Sequence, residues 1–194
     1  MARPREFDRD GALRKAMEVF WAKGFAATST DDLLAAMEIG RQSLYNAFGD
    51  KWQLYVEALG QYQRDMISGH LARLNKPASA LAGIRDLLAG LFPDDARIRA
   101  MGCMGVGSVG EFGNGEPELV KLRGAVAPVL HARLLERIRE GQEAGEIDAA
   151  MEPQQAAVFI QTTMAGLQIA ARGGAGGTDL QDMAEFAAGR LRAR

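Results

Sequence analysis

Apolar residues along the chain recur with the period of one helical face. Leu13, Met17, Phe20 and Trp21 stand at i, i+4, i+7 and i+8 and predict a first helix over about residues 8–23, closed by Gly24. Thr28-Ser29-Thr30-Asp31-Asp32 then supplies N-cap hydroxyls followed by acids, so a short second helix runs to about Met37. Ile39 and Gly40 separate it from a third, whose buried stripe is Leu44 and Phe48. Asp50 with Gln53 three residues later reads as a capping box opening a long helix toward Leu74. Beyond it, Pro77, Pro117 and Pro153 each fit the first turn of a new helix. Two long helices follow, from Glu116 to about Gln142 and from Pro153 to Ala171. A Gly173–Gly177 break precedes a last helix capped by Thr178 and Gln181. No segment alternates like a strand, and no internal repeat is found, so the fold class is all-α.

Two short helices joined by a tight turn, the second with a polar outer face, meet the requirement for a helix-turn-helix. With Leu44 and Phe48 buried, the outward positions of the third helix are Arg41, Gln42, Ser43, Tyr45 and Asn46. Arg, Gln and Asn can pair with base edges, while Ser and Tyr hydroxyls can hold phosphates. Lys51 opens the next helix, where its cation and the free amides of that terminus both suit a phosphate. Arg3-Pro4-Arg5 ahead of the first helix is a candidate minor-groove arm.

The ordered set Gly24-Phe25, Thr28-Ser29-Thr30, Leu33, Ile39, Ser43-Leu44-Tyr45, Phe48 and Lys51 resembles the DNA-binding head of TetR/AcrR-type repressors. The resemblance covers about the first 55 residues. It implies a helix-turn-helix DNA-binding domain over residues 1–50 and a helical ligand-binding and dimerisation domain over 51–194. It adds Thr30 to the DNA-contacting residues, and it implies a homodimer on palindromic double-stranded DNA, controlled by an unidentified small-molecule effector. Two positions depart from the family pattern: Leu34 stands where a small residue is usual, and Glu38 where the turn usually carries glycine. Because a non-glycine at positive φ costs on the order of 1 kcal/mol, the turn is expected to be tightened differently.

Composition narrows the alternatives. In the chain of 194 residues the net charge is only −2, and eight basic residues balance eight acidic ones over the first 51, so the case for DNA rests on placement. The chain has the composition of a soluble globular protein; no secretory h-region and no membrane span are found, and a cytoplasmic location is expected. One cysteine, Cys103, and two histidines, His70 and His131, leave no usual zinc cluster, so no metal is expected. Both histidines are expected on helix surfaces. Gly105-Val-Gly107-Ser-Val-Gly110 satisfies a dinucleotide pattern, but no strand precedes it and no acid follows at the ribose position, so no cofactor is expected. Cys103 is either an inert small hydrophobe or an electrophile sensor. No nucleophile, base and orienter come together, and the chain is not expected to be an enzyme. The competing functions are a helical thiol- or NAD(P)-dependent enzyme and a DNA-binding regulator without an effector.

For the effector, Met66, Met104, Phe112, Phe159 and Met164 are the candidate pocket residues. The helix that starts at Asp50 is expected to be the sole mechanical link between pocket and head. The apolar stripe Ala156, Phe159, Ile160, Thr163, Met164, Leu167 and Ala171, with the final helix, is expected to join two protomers.

Overall fold

The computed structural model describes residues 8–193. Among these residues the chain is all-α, with ten helices and one isolated antiparallel bridge between Ile147 and Arg192. The Arg3-Pro4-Arg5 arm lies outside the described residues.

Helix α1 (Arg9–Lys23) starts where the Asp8 carboxylate accepts from the Gly11 amide, and it stops at Gly24, whose φ of 80° turns the chain away. Helix α2 (Thr30–Met37) opens with a reciprocal capping box between Ser29 and Asp32. Helix α3 (Arg41–Phe48) buries Leu44 and Phe48, as the spacing predicts. Helix α4 (Lys51–Asn75) begins where Asp50 accepts from the Gln53 amide. At 1.5 Å per residue it is about 37 Å long and reaches from head to body.

The body continues with α5 (Ala80–Ala89), α6 (Ala96–Arg99), α7 (Met104–Phe112), α8 (Pro117–Glu143), α9 (Pro153–Arg172) and α10 (Gly177–Gly189). Pro117 and Pro153 open their helices as expected. Pro77 does not: Ser79 is the N-cap of α5, and the Pro77 carbonyl instead accepts from Arg137 Nη2 at 3.0 Å. The carbonyl of Ser79 takes the same guanidinium at 2.8 Å. Thr178 is likewise inside α10 rather than capping it, because Gly176 holds the N-cap position and no side chain caps that end.

Two apolar clusters hold these helices. One joins α1, α2 and α3 to the first half of α4, from Leu54 to Tyr62, and recruits Met104 of α7 and Leu119 of α8. The other gathers Leu74 with α5, the second half of α8, α9 and α10. Helix α4 belongs to both. The head helices α2 and α3 have only eight residues each, too few to be stable alone, so their orientation depends on this shared packing.

The turn between α2 and α3 answers the question that Glu38 raises. Glu38 sits at φ 57° and ψ 38°, so the left-handed turn is kept with a non-glycine in it. Its carboxylate meets Lys15 Nζ at 2.7 Å, an exposed pair that offsets little of the backbone cost. Glu38→Gly is therefore expected to raise the thermal midpoint by about 2–4 °C in a circular-dichroism melt. An unchanged or lower midpoint would mean that the Lys15 contact outweighs the strained backbone.

Candidate nucleic-acid interface and effector cavity

Helix α3 presents Arg41, Gln42, Tyr45 and Asn46 to solvent, while Ser43 is half-buried beside Leu44. Arg41 Nη2 lies 2.7 Å from Asp31 Oδ1, and Gln42 Nε2 donates to Asn46 Oδ1 at 2.9 Å. Both contacts are exposed and local, so base edges can replace them at little cost. Gly40 brings no side-chain cap, which leaves the first-turn amides of α3 to other acceptors. Thr30 is the first residue of α2 and is half-buried. Lys51, first in α4, rests its ammonium 4.1 Å from the centroid of the Phe25 ring.

Several other head cations are occupied within the protein. Arg9 forks onto Glu57 at 2.7 and 2.8 Å and also lies over the Phe48 ring. Lys23 meets Asp32 at 2.7 Å and, with the Ser29 amide and hydroxyl, holds that carboxyl well below the usual carboxylate range. These pairs fix helices to one another, and the exposed polar face of α3 remains the surface suited to DNA.

Behind the head, α4, α7, α8 and α9 line a partly open cavity of about 290 Å³, at the lower end of the size usual for small-molecule sites. Met66 and Met164 line it, together with Tyr62, His70, Val106 and Leu130. The other expected pocket residues lie elsewhere. Met104 is buried in the head cluster, and Phe112 packs on Phe25 and Trp52 at centroid distances of 5.6 and 5.5 Å. Phe159 is 43% exposed on the outer face of α9.

His70 is not a surface residue as expected; it is buried in the cavity wall. His131 is half-buried and bridges glutamines, with Nδ1 2.7 Å from Gln161 Oε1 and Nε2 2.8 Å from Gln154 Nε2. The Gly105–Gly110 pattern lies within helix α7, without the strand and turn that a dinucleotide site needs. Cys103 is half-buried at the N-cap of α7 and lines the cavity beside Tyr62, whose phenol burial pushes up.

Helix α4 is not the sole link between cavity and head. Glu111, on the last turn of α7, accepts from the amides of Phe25 at 3.0 Å and Ala26 at 2.6 Å, in the corner that joins α1 to α2. Arg172, the last residue of α9, donates to the Met101 carbonyl at 2.8 Å and to the Trp21 carbonyl at 3.3 Å. Trp21 Nε1 in turn donates to the Gly102 carbonyl at 2.9 Å. Glu111 and Arg172 stand in no sequence pattern that marks them, and the stripe that places Trp21 on α1 does not show its partner; these links are legible only once α7 and α9 are set against α1.

An all-helical chain with a polar α3 projecting from a braced three-helix head defines a helix-turn-helix DNA-binding regulator. Residues 12–58 match the family described as bacterial regulatory proteins, tetR family. The TetR family transcriptional regulator CifR, solved as a cysteine mutant complexed with 26 bp double-strand operator DNA, is 31% identical. That likeness covers 98% of this chain and all of that one, at a TM-score of 0.78. The HTH-type transcriptional repressor ComR of Escherichia coli (strain K12) is 28% identical over 98% of this chain and 90% of its own. The uncharacterized HTH-type transcriptional regulator YezE of Bacillus subtilis (strain 168) is 39% identical over 87 residues, so the match spans less than half of that relative, 45% of each chain. The chain belongs to the TetR family of DNA-binding transcriptional regulators.

The buried His70 carries a pH signature. Burial, and then the Arg73 cation, lower its pKa to about 4 from an ordinary 6.5. The unfolded chain takes up the proton first, so stability is full above about pH 6.5 and is lost as pH falls toward 4. The expected loss between pH 7 and 4.5 is on the order of 2 kcal/mol in denaturant titrations, and His70→Asn should flatten it. Carboxylates held low, such as Asp95 and Glu146, begin to contribute near pH 4.5 and do so mainly below it. A wild-type profile flat from pH 7 to 4.5 would show that the imidazole is not buried as neutral.

Proposed function

We propose that the chain is a cytoplasmic, homodimeric repressor of a palindromic operator, released when a small apolar or amphipathic effector enters the cavity between α4, α7, α8 and α9. In this reading residues 1–50 form the DNA-binding unit and 51–194 the ligand-binding and dimerisation unit. Arg41, Gln42 and Asn46 read base edges, while Thr30, Ser43, Tyr45 and Lys51 hold phosphates. The observation that carries the reading is the double role of α7: Val106 faces the cavity, and Glu111 on the same helix grips the α1–α2 corner. A ligand that displaces α7 thereby disturbs the base on which α3 is aimed. Coupling of this kind is typically about 5- to 150-fold in operator affinity, and it is reciprocal.

Dimerisation is supported by the outer faces of α9 and α10. Of the α9 stripe expected to join the protomers, Ala156, Ile160, Met164, Leu167 and Ala171 are buried inside the protomer, Thr163 is half-buried, and Phe159 lies on the outer face. The outward face joins Phe159 to Val158 and Ile169 of α9, beside Met183 and Phe186 of α10, all 43–61% exposed. Gly166 lies in that outer face with open space above it, allowing close approach of a second helix. Apolar surface of this extent fits an isologous four-helix interface, and a two-fold pair of heads matches palindromic DNA.

Both halves of the proposal are testable with an operator selected from a genomic fragment library. Arg41→Ala and Gln42→Ala should each relax base preference by about 1–3 kcal/mol, whereas Lys51→Ala should weaken all sequences alike and lower the salt slope by about 1. Operator preference that survives removal of both Arg41 and Gln42 would rule out this reading face. For the dimer, Ile169→Glu with Phe186→Glu should leave a folded monomer by sedimentation, with operator binding lost. A wild-type chain that sediments as a stable monomer at micromolar concentration would contradict the interface.

A further inference from the structure

Among the described residues that line the cavity, Arg123 alone carries a full charge. Its Nη2 donates to the Gly113 carbonyl at 2.6 Å and to Asn114 Oδ1 at 3.1 Å. Its Nη1 is buried and has no partner. Two further cavity residues are in the same condition: Gln63 Oε1 is a buried acceptor with no donor, and His70 Nδ1 is buried and unpaired. Buried polar atoms are almost always satisfied, so three on residues that line one cavity, two from α4 and one from α8, point to a ligand with polar groups of its own. The rest of the wall is apolar, including Met66, Ile67, Leu91 and Met164.

Building on the effector reading above, we infer that the effector is a small aromatic or branched carboxylate that also bears a hydroxyl group, its carboxylate on Arg123 Nη1 and its hydroxyl donating to Gln63 Oε1. A neutral carbonyl would also accept from Nη1, but a carboxylate makes the stronger, charge-assisted hydrogen bond with the half-buried cation of the lining. A phosphate would bring more negative charge than a single guanidinium balances. With Nη2 committed to Gly113 and Asn114, the contact is one-sided rather than a bidentate fork, which suits one carboxylate oxygen. His70 Nδ1 supplies the remaining hydrogen bond.

The same residue connects recognition to control. Gly113 and Asn114 follow directly on α7, and Glu111, two residues before Gly113, grips the amides of Phe25 and Ala26. An anion that draws Arg123 toward the cavity pulls on the end of α7, and so on the head.

The test uses the full-length dimer at pH 7 with 4-hydroxyphenylacetate and its neutral counterpart 2-(4-hydroxyphenyl)ethanol, followed by calorimetric titration and by operator release. The acid should bind at least tenfold more tightly than the alcohol. Arg123→Gln should abolish that preference by weakening the acid alone, and Arg123→Lys should keep part of it. Acid and alcohol binding alike, or acid binding indifferent to Arg123→Gln, overturns the carboxylate assignment. If the alcohol nevertheless binds and releases operator, the effector cavity stands and only its ligand class is wrong. If neither compound binds nor releases operator, the carboxylate assignment and the cavity reading both fail.

Discussion

The head is held in place at the corner where Glu111 of α7 receives the amides of Phe25 and Ala26. Phe25 sits in an aromatic cluster with Phe20, Trp52, Tyr55 and Phe112, at centroid distances from 5.1 to 6.3 Å. Edge-on and tilted aromatic contacts of this kind add to simple burial. They also bring three helices to the α1–α2 corner, since Phe20, Trp52 and Phe112 come from α1, α4 and α7. Lys51 lies on the outer face of the same Phe25 ring. The corner thus connects the body to the residue that opens α4 beside α3, and two eight-residue helices gain a fixed orientation that they lack on their own.

Helix α7 is suited to transmit a change because it is poorly made. Gly105, Gly107 and Gly110 occupy three of its nine positions, and each costs about 1 kcal/mol relative to alanine in a helix. No side chain would crowd a Cβ at Gly107 or Gly110, so space does not explain them. The helix is held instead by its contacts: buried Met104 and Ser108, and the Glu111 carboxylate on the head. An element of low intrinsic stability that depends on a few anchors is what a ligand can shift with modest differential affinity.

The head was legible in the sequence because its signals are local. Ser29 with Asp32, Asp50 with Gln53, and Gly24 after a periodic stripe act within four residues, and the structure uses each as a helix boundary. Leu44 and Phe48 fix which side of α3 is buried, and the polar face follows. The cavity was less legible. Helix α9 is apolar on two faces, so its period shows amphipathicity without saying which stripe meets its own protomer. Met164 turned inward to the cavity and Phe159 outward to solvent, although both are large and apolar. His70 and Arg123 carry no pattern at all; their roles arise from burial between helices distant in sequence. Pro77 and Thr178 look like helix starts by composition, but Ser79 and Gly176 hold the capping positions.

The central claim is that α7, through Glu111, sets the orientation in which the head meets DNA. Hydrogen bonds from two amides to one carboxylate are stronger than neutral ones, and a head no longer fixed populates the binding orientation for a smaller fraction of the time. The most direct measurement is the operator affinity of Glu111→Gln at fixed salt, beside its helicity and sedimentation. Affinity should fall about tenfold with helicity and dimerisation unchanged. Operator affinity equal to the wild type in a folded dimer would contradict it.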